Sequence, residues 1–425
     1  MPEQALTITG AVQPSITRSL IIIGLLFAVF GFVTWLGSVL IPYLKIACEL
    51  NNTQAYLVAF ALYISYFVMA LPGGWILKKT GFKKGISLGL VIMAAGSLVF
   101  IPAALTRTYP VFLTGLFIQG AGLSILQTAS NPYVTILGPK DTAAKRISIM
   151  GICNGIAGII APIMLGSVIL KDTDAITRKL ATLTVLEKTI ELNALAHRVI
   201  IPYAIISLVL LALAFLVRFS GLPEVDEDPG EEEAAGPVAK KSIFQFPHLL
   251  IGVVTLFLYV GVEVISGDTI INYGLSLGIP MATAKFLTSL TLSAMLIGYL
   301  IGIIAIPRFL PQEKALQYSA LAGIFFLLCS LFTTGYLSVL FIALLGLANA
   351  LMWPAIWPLA ISNLGRFTKT GSALLIMSVC GGAILPLIYG YFADTFTPQK
   401  AYWMVAPCYL MILYYAMRGH KIRSH

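Results

Sequence analysis

Ile149-Met150-Gly151-Ile152-Cys153-Asn154-Gly155 recurs 227 residues later as Ile376-Met377-Ser378-Val379-Cys380-Gly381-Gly382, identical at four of seven positions, with a proline following each copy, Pro162 and Pro386. Each copy lies in a long apolar run. Twelve such runs can be placed, at 19–44, 54–77, 84–106, 108–137, 146–170, 198–219, 246–275, 281–307, 314–335, 337–364, 370–394 and 400–418. The two copies fall in the fifth and the eleventh, corresponding members of two sets of six, as expected of a duplicated membrane bundle.

Composition supports the same reading. Of 425 residues 58% are hydrophobic and 11% charged, against roughly a quarter charged in a soluble domain. A helix crossing a ~30 Å hydrocarbon layer takes ~20 residues, so the apolar inventory suits twelve crossings with little mass outside the bilayer. The sequence therefore predicts an all-α membrane protein of twelve transmembrane helices in two pseudo-symmetric six-helix bundles. The expected divisions are an N-terminal bundle over 1–219, an acidic, Pro- and Gly-containing linker over 220–243, and a C-terminal bundle over 244–425. A second break, 171–197, has mixed charge and helical apolar spacing at Ile176, Leu180, Leu183 and Ile190.

The net charge of +9 is a topology signal. With the N-terminus inside, eighteen of the 27 Lys and Arg residues fall on the inner face and nine on the outer, five of those nine within 171–198. Cationic loops stay on the cytoplasmic side, so both termini and the acidic linker are expected in the cytoplasm. No basic surface interleaved with aromatic residues is present, which argues against nucleic acid as a partner. The five cysteines show no pairing or metal-ligand spacing and read as small buried hydrophobes. The first span reads as retained, not as a cleaved leader.

An ionisable group at mid-membrane is costly and is tolerated mainly where it faces a cavity or a partner. Of 18 acids, seven lie in the linker and nine at run ends, in loops or at the N-terminus, leaving Glu263 and Asp268, both in the seventh run. Tyr259, Glu263 and Ser266 share a helical face at i, i+4 and i+7. Asp268, about 140° round the helix from Glu263, is expected to pair with Asn272 toward the outer interface. Other intramembrane polar and aromatic residues are Trp35 and Ser38 in the first run, Gln119, Gln127 and Asn131 in the fourth, and Asn154 in the fifth. Asn349, Trp353 and Trp357 form an i, i+4, i+8 stripe in the tenth. Aromatic faces with amides suit a pyranose, whose apolar patches are ringed by donors and acceptors. For each such residue the structural alternative is interhelical packing or hydrogen bonding. No phosphate-binding loop or H-E-x-x-H stands in the chain, and none of the four histidines is deep in a span. An enzyme is therefore not expected, and transport energy, if used, must come from an ion gradient.

At several of these positions the sequence resembles the fucose and glucose/galactose permease branch of the major facilitator superfamily. The matching stretches are Phe30-Gly31-Phe32-Val33-Thr34 with Leu40-Ile41-Pro42-Tyr43-Leu44-Lys45, and Leu126-Gln127-Thr128-Ala129-Ser130-Asn131-Pro132-Tyr133-Val134 with Leu137-Gly138-Pro139. Tyr259-Val260-Gly261-Val262-Glu263 and Asn363-Leu364-Gly365 with Gly371-Ser372 continue the match in the same order. The segment from Pro72 to Lys84 resembles the superfamily's loop between helices two and three, with Lys78 where Asp is usual. The resemblance implies a central sugar site and alternating access, with cation symport in relatives. Fucose permeases carry an Asp at the position of Ser38 and a Glu at that of Gln127. Both are neutral here, so that proton relay does not transfer. Gly151 stands where relatives often have Gln.

Together these readings predict a multi-pass, monomeric transporter of the plasma (cell inner) membrane, with the lipid bilayer and a monosaccharide of glucose/galactose or fucose type as its partners. The substrate is expected at Gln127, Asn131, Asn154, Glu263, Asn349, Trp353, Trp357, Trp35 and Ser38. Coupling to a proton or sodium ion is expected at Glu263 or Asp268, or, for sodium, at oxygens such as Ser38 and backbone carbonyls, with no other cofactor. The alternatives are an uncoupled sugar uniporter and a non-transporting sugar sensor on the same scaffold.

Overall fold

A computed structural model describes residues 16–136, 143–220, 242–306 and 309–422. The expected linker falls mostly outside the described residues. All regular structure among the described residues is helical. Among the described residues eleven helical stretches are long and apolar enough to cross a membrane. The twelfth span, 398–417, is interrupted by a 3₁₀ turn at Tyr402–Met404.

The first six spans are Ile16–Ala47; Asn52–Ala55 continued by Leu57–Thr80; Phe82–Thr106; Tyr109–Ile136; Ala143–Ile169; and Ile200–Phe219. The seventh comprises Pro247–Asp268 and Ile270–Ser276, and the eighth Met281–Ala284 and Leu287–Ala305. The ninth is Gln312–Phe332, the tenth Gly335–Asn349 and Met352–Ile361, and the eleventh Thr368–Met377 and Gly381–Thr395. Each half repeats the other's packing. Spans 1 and 5, 2 and 4, 3 and 4, and 3 and 6 pack in the first half, and spans 7 and 11, 8 and 10, 9 and 10, and 9 and 12 in the second. Large apolar side chains point outward, with Leu71, Phe215 and Phe332 at 72%, 66% and 78% exposure. So wide an apolar exterior needs a bilayer to cover it.

The repeated heptapeptide has a packing reason. A Cβ on Gly31 of span 1 would stand 2.0 Å from the Asn154 carbonyl oxygen of span 5. At the matching crossing in the other half, a Cβ on Gly381 of span 11 would stand 1.8 Å from the Phe257 oxygen of span 7. Asn154 and Gly381 occupy the same place in the two copies. The required glycine lies on span 1 in one half and on span 11 in the other, and the backbones touch at the same crossing.

Several expected continuous helices are broken. The tenth breaks at Ala350 and Leu351, because Pro354 has no N–H to offer the Ala350 carbonyl. Proline is tolerated in the first turn of the new helix, where amides lack helical acceptors. The eleventh tightens into a 3₁₀ turn at Ser378–Cys380 just before Gly381-Gly382, a sequence that bends helices. The break expected at 171–197 contains two helices, Thr173–Leu180 and Val185–His197. The second is opened by a reciprocal cap between Thr184 and Glu187. Ile190 of the expected apolar spacing is exposed, and the face that this helix buries is instead Leu192, Leu195 and Ala196.

Candidate functional site: a cavity between the halves

Spans 1 and 7, 2 and 11, and 5 and 8 meet across the boundary between halves. There a cavity is lined by Trp35 of span 1, Asn154 and Gly155 of span 5, Glu263 of span 7, and Leu292, Met295, Leu296 and Tyr299 of span 8. Both bundles contribute to it. Its wall combines an indole, an amide, a carboxyl and a phenol with an apolar strip.

Trp35 is held by two glycines from opposite halves. A Cβ on Gly158 would lie 2.7 Å from the indole Cδ1, and one on Gly267 would lie 2.3 Å from Cζ3. The indole thus fits a slot between spans 5 and 7 that any larger residue would fill. Ser38, one turn on, is fully buried and donates to the Trp35 carbonyl oxygen at 2.8 Å.

Behind Glu263 runs a hydrogen-bonded chain. Ser266 Oγ donates to the Glu263 carbonyl oxygen at 2.8 Å and accepts from Asn349 Nδ2 at 3.3 Å. Asn349 Oδ1 in turn accepts from Tyr409 Oη at 2.9 Å. The wholly buried Asn349 amide therefore ties spans 7, 10 and 12 together and supports the turn that carries Glu263. Trp353 and Trp357 stack with centroids 5.5 Å apart, and Trp353 lies 6.5 Å from Tyr259, one turn before Glu263. The expected stripe is divided: Asn349 closes one helix and the tryptophans ride on the next.

Asp268 ends the long helix of span 7, is 1% exposed, and its Oδ1 meets no hydrogen-bonding partner. A Cβ on Gly37 of span 1 would stand 3.8 Å from its Oδ2. The expected pairing with Asn272 is corrected: Asn272 Nδ2 donates to Tyr56 Oη of span 2 at 3.5 Å. Of the remaining candidates, Gln127 is half-buried in span 4. Gln119 donates to Ser97 Oγ at 2.6 Å and joins spans 3 and 4. Asn131 lies in the described helix, but its side chain falls outside the described residues.

The structure thus brings Trp35, Asn154 and Glu263 to one cavity. Trp353 stands nearby through Tyr259. Sequence reasoning placed span 8 but assigned it no site residue. The signal that could have found one was Tyr299, the one aromatic residue of the helix Leu287–Ala305, four residues after Met295 and beside Gly298, where a Cβ would come within 2.5 Å of Ala350. Among the described residues no group of three or more His, Cys, Asp or Glu could hold a metal ion.

Two six-helix bundles with a shared polar cavity between them define a membrane carrier. The Major Facilitator Superfamily model matches residues 22–386, and the chain belongs to that family. It is 36% identical over 402 residues to the glucose/galactose transporter of Brucella abortus, covering 93% of both chains. It is 32% identical over 380 residues to the L-fucose-proton symporter of Escherichia coli, covering 87% of this chain and 85% of that one. The crystal structure of the superfamily transporter FucP in its outward conformation matches with a TM-score of 0.72 at 29% identity, covering 97% of this chain and 100% of that one. The chain is a transporter and not an enzyme.

Proposed function

We propose that this protein carries a monosaccharide across the cell inner membrane by alternating access, coupled to a proton or a sodium ion, as a monomer with both termini in the cytoplasm. The observation that carries this reading is the cavity to which both halves contribute aromatic and polar groups. A pyranose offers apolar C–H patches to Trp35 and Tyr299 and hydroxyls to the Asn154 amide and the Glu263 carboxyl. The names of the relatives point to the same substrate class. Gln127, Asn131, Trp353 and Trp357 are proposed as further sugar-binding residues, while Ser38 and Asn349 hold Trp35 and the Glu263 turn in place. The bundles comprise 1–219 and 244–425, joined by the acidic linker.

Alternating access requires the halves to rock about a site that both of them touch. A sugar that touches Trp35 and Asn154 on one side and Glu263 and Tyr299 on the other is held best when the cavity closes round it, so binding favours the occluded form. Glu263 and Asp268 are the two carboxyls in a position to couple an ion to this motion. Asp268 has an oxygen unoccupied by any hydrogen bond, and a proton or a sodium ion would satisfy it.

Ser38 and Gln127, neutral where fucose permeases have acids, favour a second reading, an uncoupled uniporter. Uptake of labelled hexoses into proteoliposomes under imposed sodium or proton gradients separates the two. Concentrative uptake that collapses with one gradient establishes coupling and names the ion. Equilibration insensitive to both leaves the uniporter, and no uptake of any sugar in the panel defeats the substrate assignment.

A further inference from the structure

Two carboxylates, one from each half, hold the first backbone amides of a span in the other half. Asp394, at the end of span 11, accepts from the Asn52 N–H at 3.0 Å and the Thr53 N–H at 2.8 Å. It also accepts from Asn52 Nδ2 and Thr53 Oγ1, both at 2.7 Å. Asp174, just beyond span 5, accepts from the Met281 N–H at 2.9 Å and the Ala282 N–H at 3.0 Å. In both cases the two oxygens of one carboxylate take the first two amides of the recipient helix, groups that have no acceptor within a helix.

The pairs are related by the internal duplication at the level of spans. Spans 5 and 11 are counterparts, as are spans 2 and 8, so each half extends a carboxylate from the same end of corresponding spans to the start of the corresponding span of the other, Asp394 from the last turn of span 11 and Asp174 from the short helix Thr173–Leu180 that follows span 5. Both contacts lie at one end of the molecule, where spans 1 and 2, 5 and 6, 7 and 8, and 11 and 12 are joined. Lys45 Nζ adds a hydrogen bond of 2.5 Å to Asn52 Oδ1, orienting the side chain that reaches Asp394. Tyr56 and Tyr389 pack edge to face below, at 5.6 Å.

We propose that Asp174 and Asp394 form a paired latch that holds this end of the carrier, assigned above to the outside, shut. Charge-assisted bonds to backbone amides are strong for their length. Asp394 is exposed and Asp174 half-exposed, so water can replace the lost partners when the halves part. That combination gives a closed state that is favoured yet easily released. Two latches at symmetric positions resist rocking about the central axis better than one, since either alone leaves the other edge free to open. The inference rests on the two-bundle fold and on this geometry, and holds whatever the carried molecule is.

The test uses the full chain in lipid nanodiscs with its five cysteines replaced by alanine. Spin labels at Thr106→Cys and Thr334→Cys, exposed positions of opposite halves, report the latch end. Labels at Lys84→Cys and Lys314→Cys report the other end. In the Asp174→Ala/Asp394→Ala variant the distance between Thr106 and Thr334 should lengthen while that between Lys84 and Lys314 shortens. The open-to-closed ratio should rise by about tenfold per carboxylate, equivalent to about 1.4 kcal/mol each. Distance distributions unchanged at both ends would overturn the proposal, as would lengthening at the latch end alone, which is the behaviour of a loosened loop. Should the double variant fail to fold, the single Asp174→Asn and Asp394→Asn variants must each give part of the same reciprocal shift, and wild-type distances in both would equally overturn it.

Discussion

The Trp35 indole and Gly267 are in direct contact across the boundary between the halves, so close that a Cβ on Gly267 would stand 2.3 Å from Trp35 Cζ3. Gly158 makes the matching contact on the other face of the slot. A tryptophan gripped between a helix of its own half and one of the other half feels any relative movement of the bundles, and it also forms a wall of the cavity.

Gly267→Ala should therefore displace the indole and impair transport more than folding. Overpacking of this kind costs about 1–3 kcal/mol, which a protein of this size can absorb while the cavity changes shape. The expected outcome is hexose uptake reduced by about tenfold or more with size-exclusion behaviour unchanged. Uptake like that of wild type would show that the indole moves aside freely and that the slot does not shape the site.

Asn349 makes a second, different prediction. Its amide bonds Ser266 and Tyr409 simultaneously, and removing one partner leaves buried groups unsatisfied, at about 1–3 kcal/mol. Asn349→Leu should lower the thermal unfolding midpoint in detergent, and Tyr409→Phe should lower it less, since only one bond is lost. If Asn349 touches the sugar directly, Asn349→Leu will instead lose uptake with its melting behaviour intact, and the supporting role assigned here is then mistaken.

Span number, the duplication and the isolation of Glu263 and Asp268 were all legible in the sequence, because apolar runs and rare intramembrane acids are local signals. The cavity was legible only in part. Trp35, Asn154 and Glu263 stand out as polar or aromatic residues in apolar surroundings, but Leu292, Met295 and Leu296 look like any lipid-facing residues. Only the packing of span 8 on span 5 turns them inward. On span 10 the prolines Pro354 and Pro358 mark an interruption of the stripe, but spacing alone does not reveal where the helix ends and restarts. The paired roles of Asp174 and Asp394 were invisible, since a carboxylate at a span end usually faces solvent and its partners here lie 107 and 342 residues away.

The crossing of spans 1 and 5 and its counterpart between spans 7 and 11 predict matched effects. Gly31→Ala and Gly381→Ala each drive a methyl group into a carbonyl oxygen, at 2.0 Å and 1.8 Å, and backbone cannot rotate away as a side chain can. Both variants should lose most of their folded yield, each through its own half. Alanine at Gly151, where a Cβ meets nothing within 4 Å, serves as the control and should express like wild type. Normal yield from both Gly31→Ala and Gly381→Ala would mean that the helices separate without penalty and that the repeated heptapeptide is not kept for close approach.

The last prediction separates the two carboxyls. Glu263 faces the cavity and Asp268 is enclosed between spans 1 and 7, so neutralising them should have unlike consequences. Glu263→Gln keeps shape and hydrogen-bonding capacity but cannot release a proton. If Glu263 carries the coupled proton, accumulation driven by a pH gradient should disappear while exchange of labelled for unlabelled sugar continues. Asp268→Asn removes a charge that no partner offsets among the described residues, at a buried position where an unpaired carboxylate is costly. It should leave the fold intact or firmer, and if Asp268 holds the coupled ion it should abolish the gradient response in place of Glu263→Gln. Both variants accumulating sugar against its gradient as wild type does would exclude both residues, and the coupling ion would then have to be held by groups without charge.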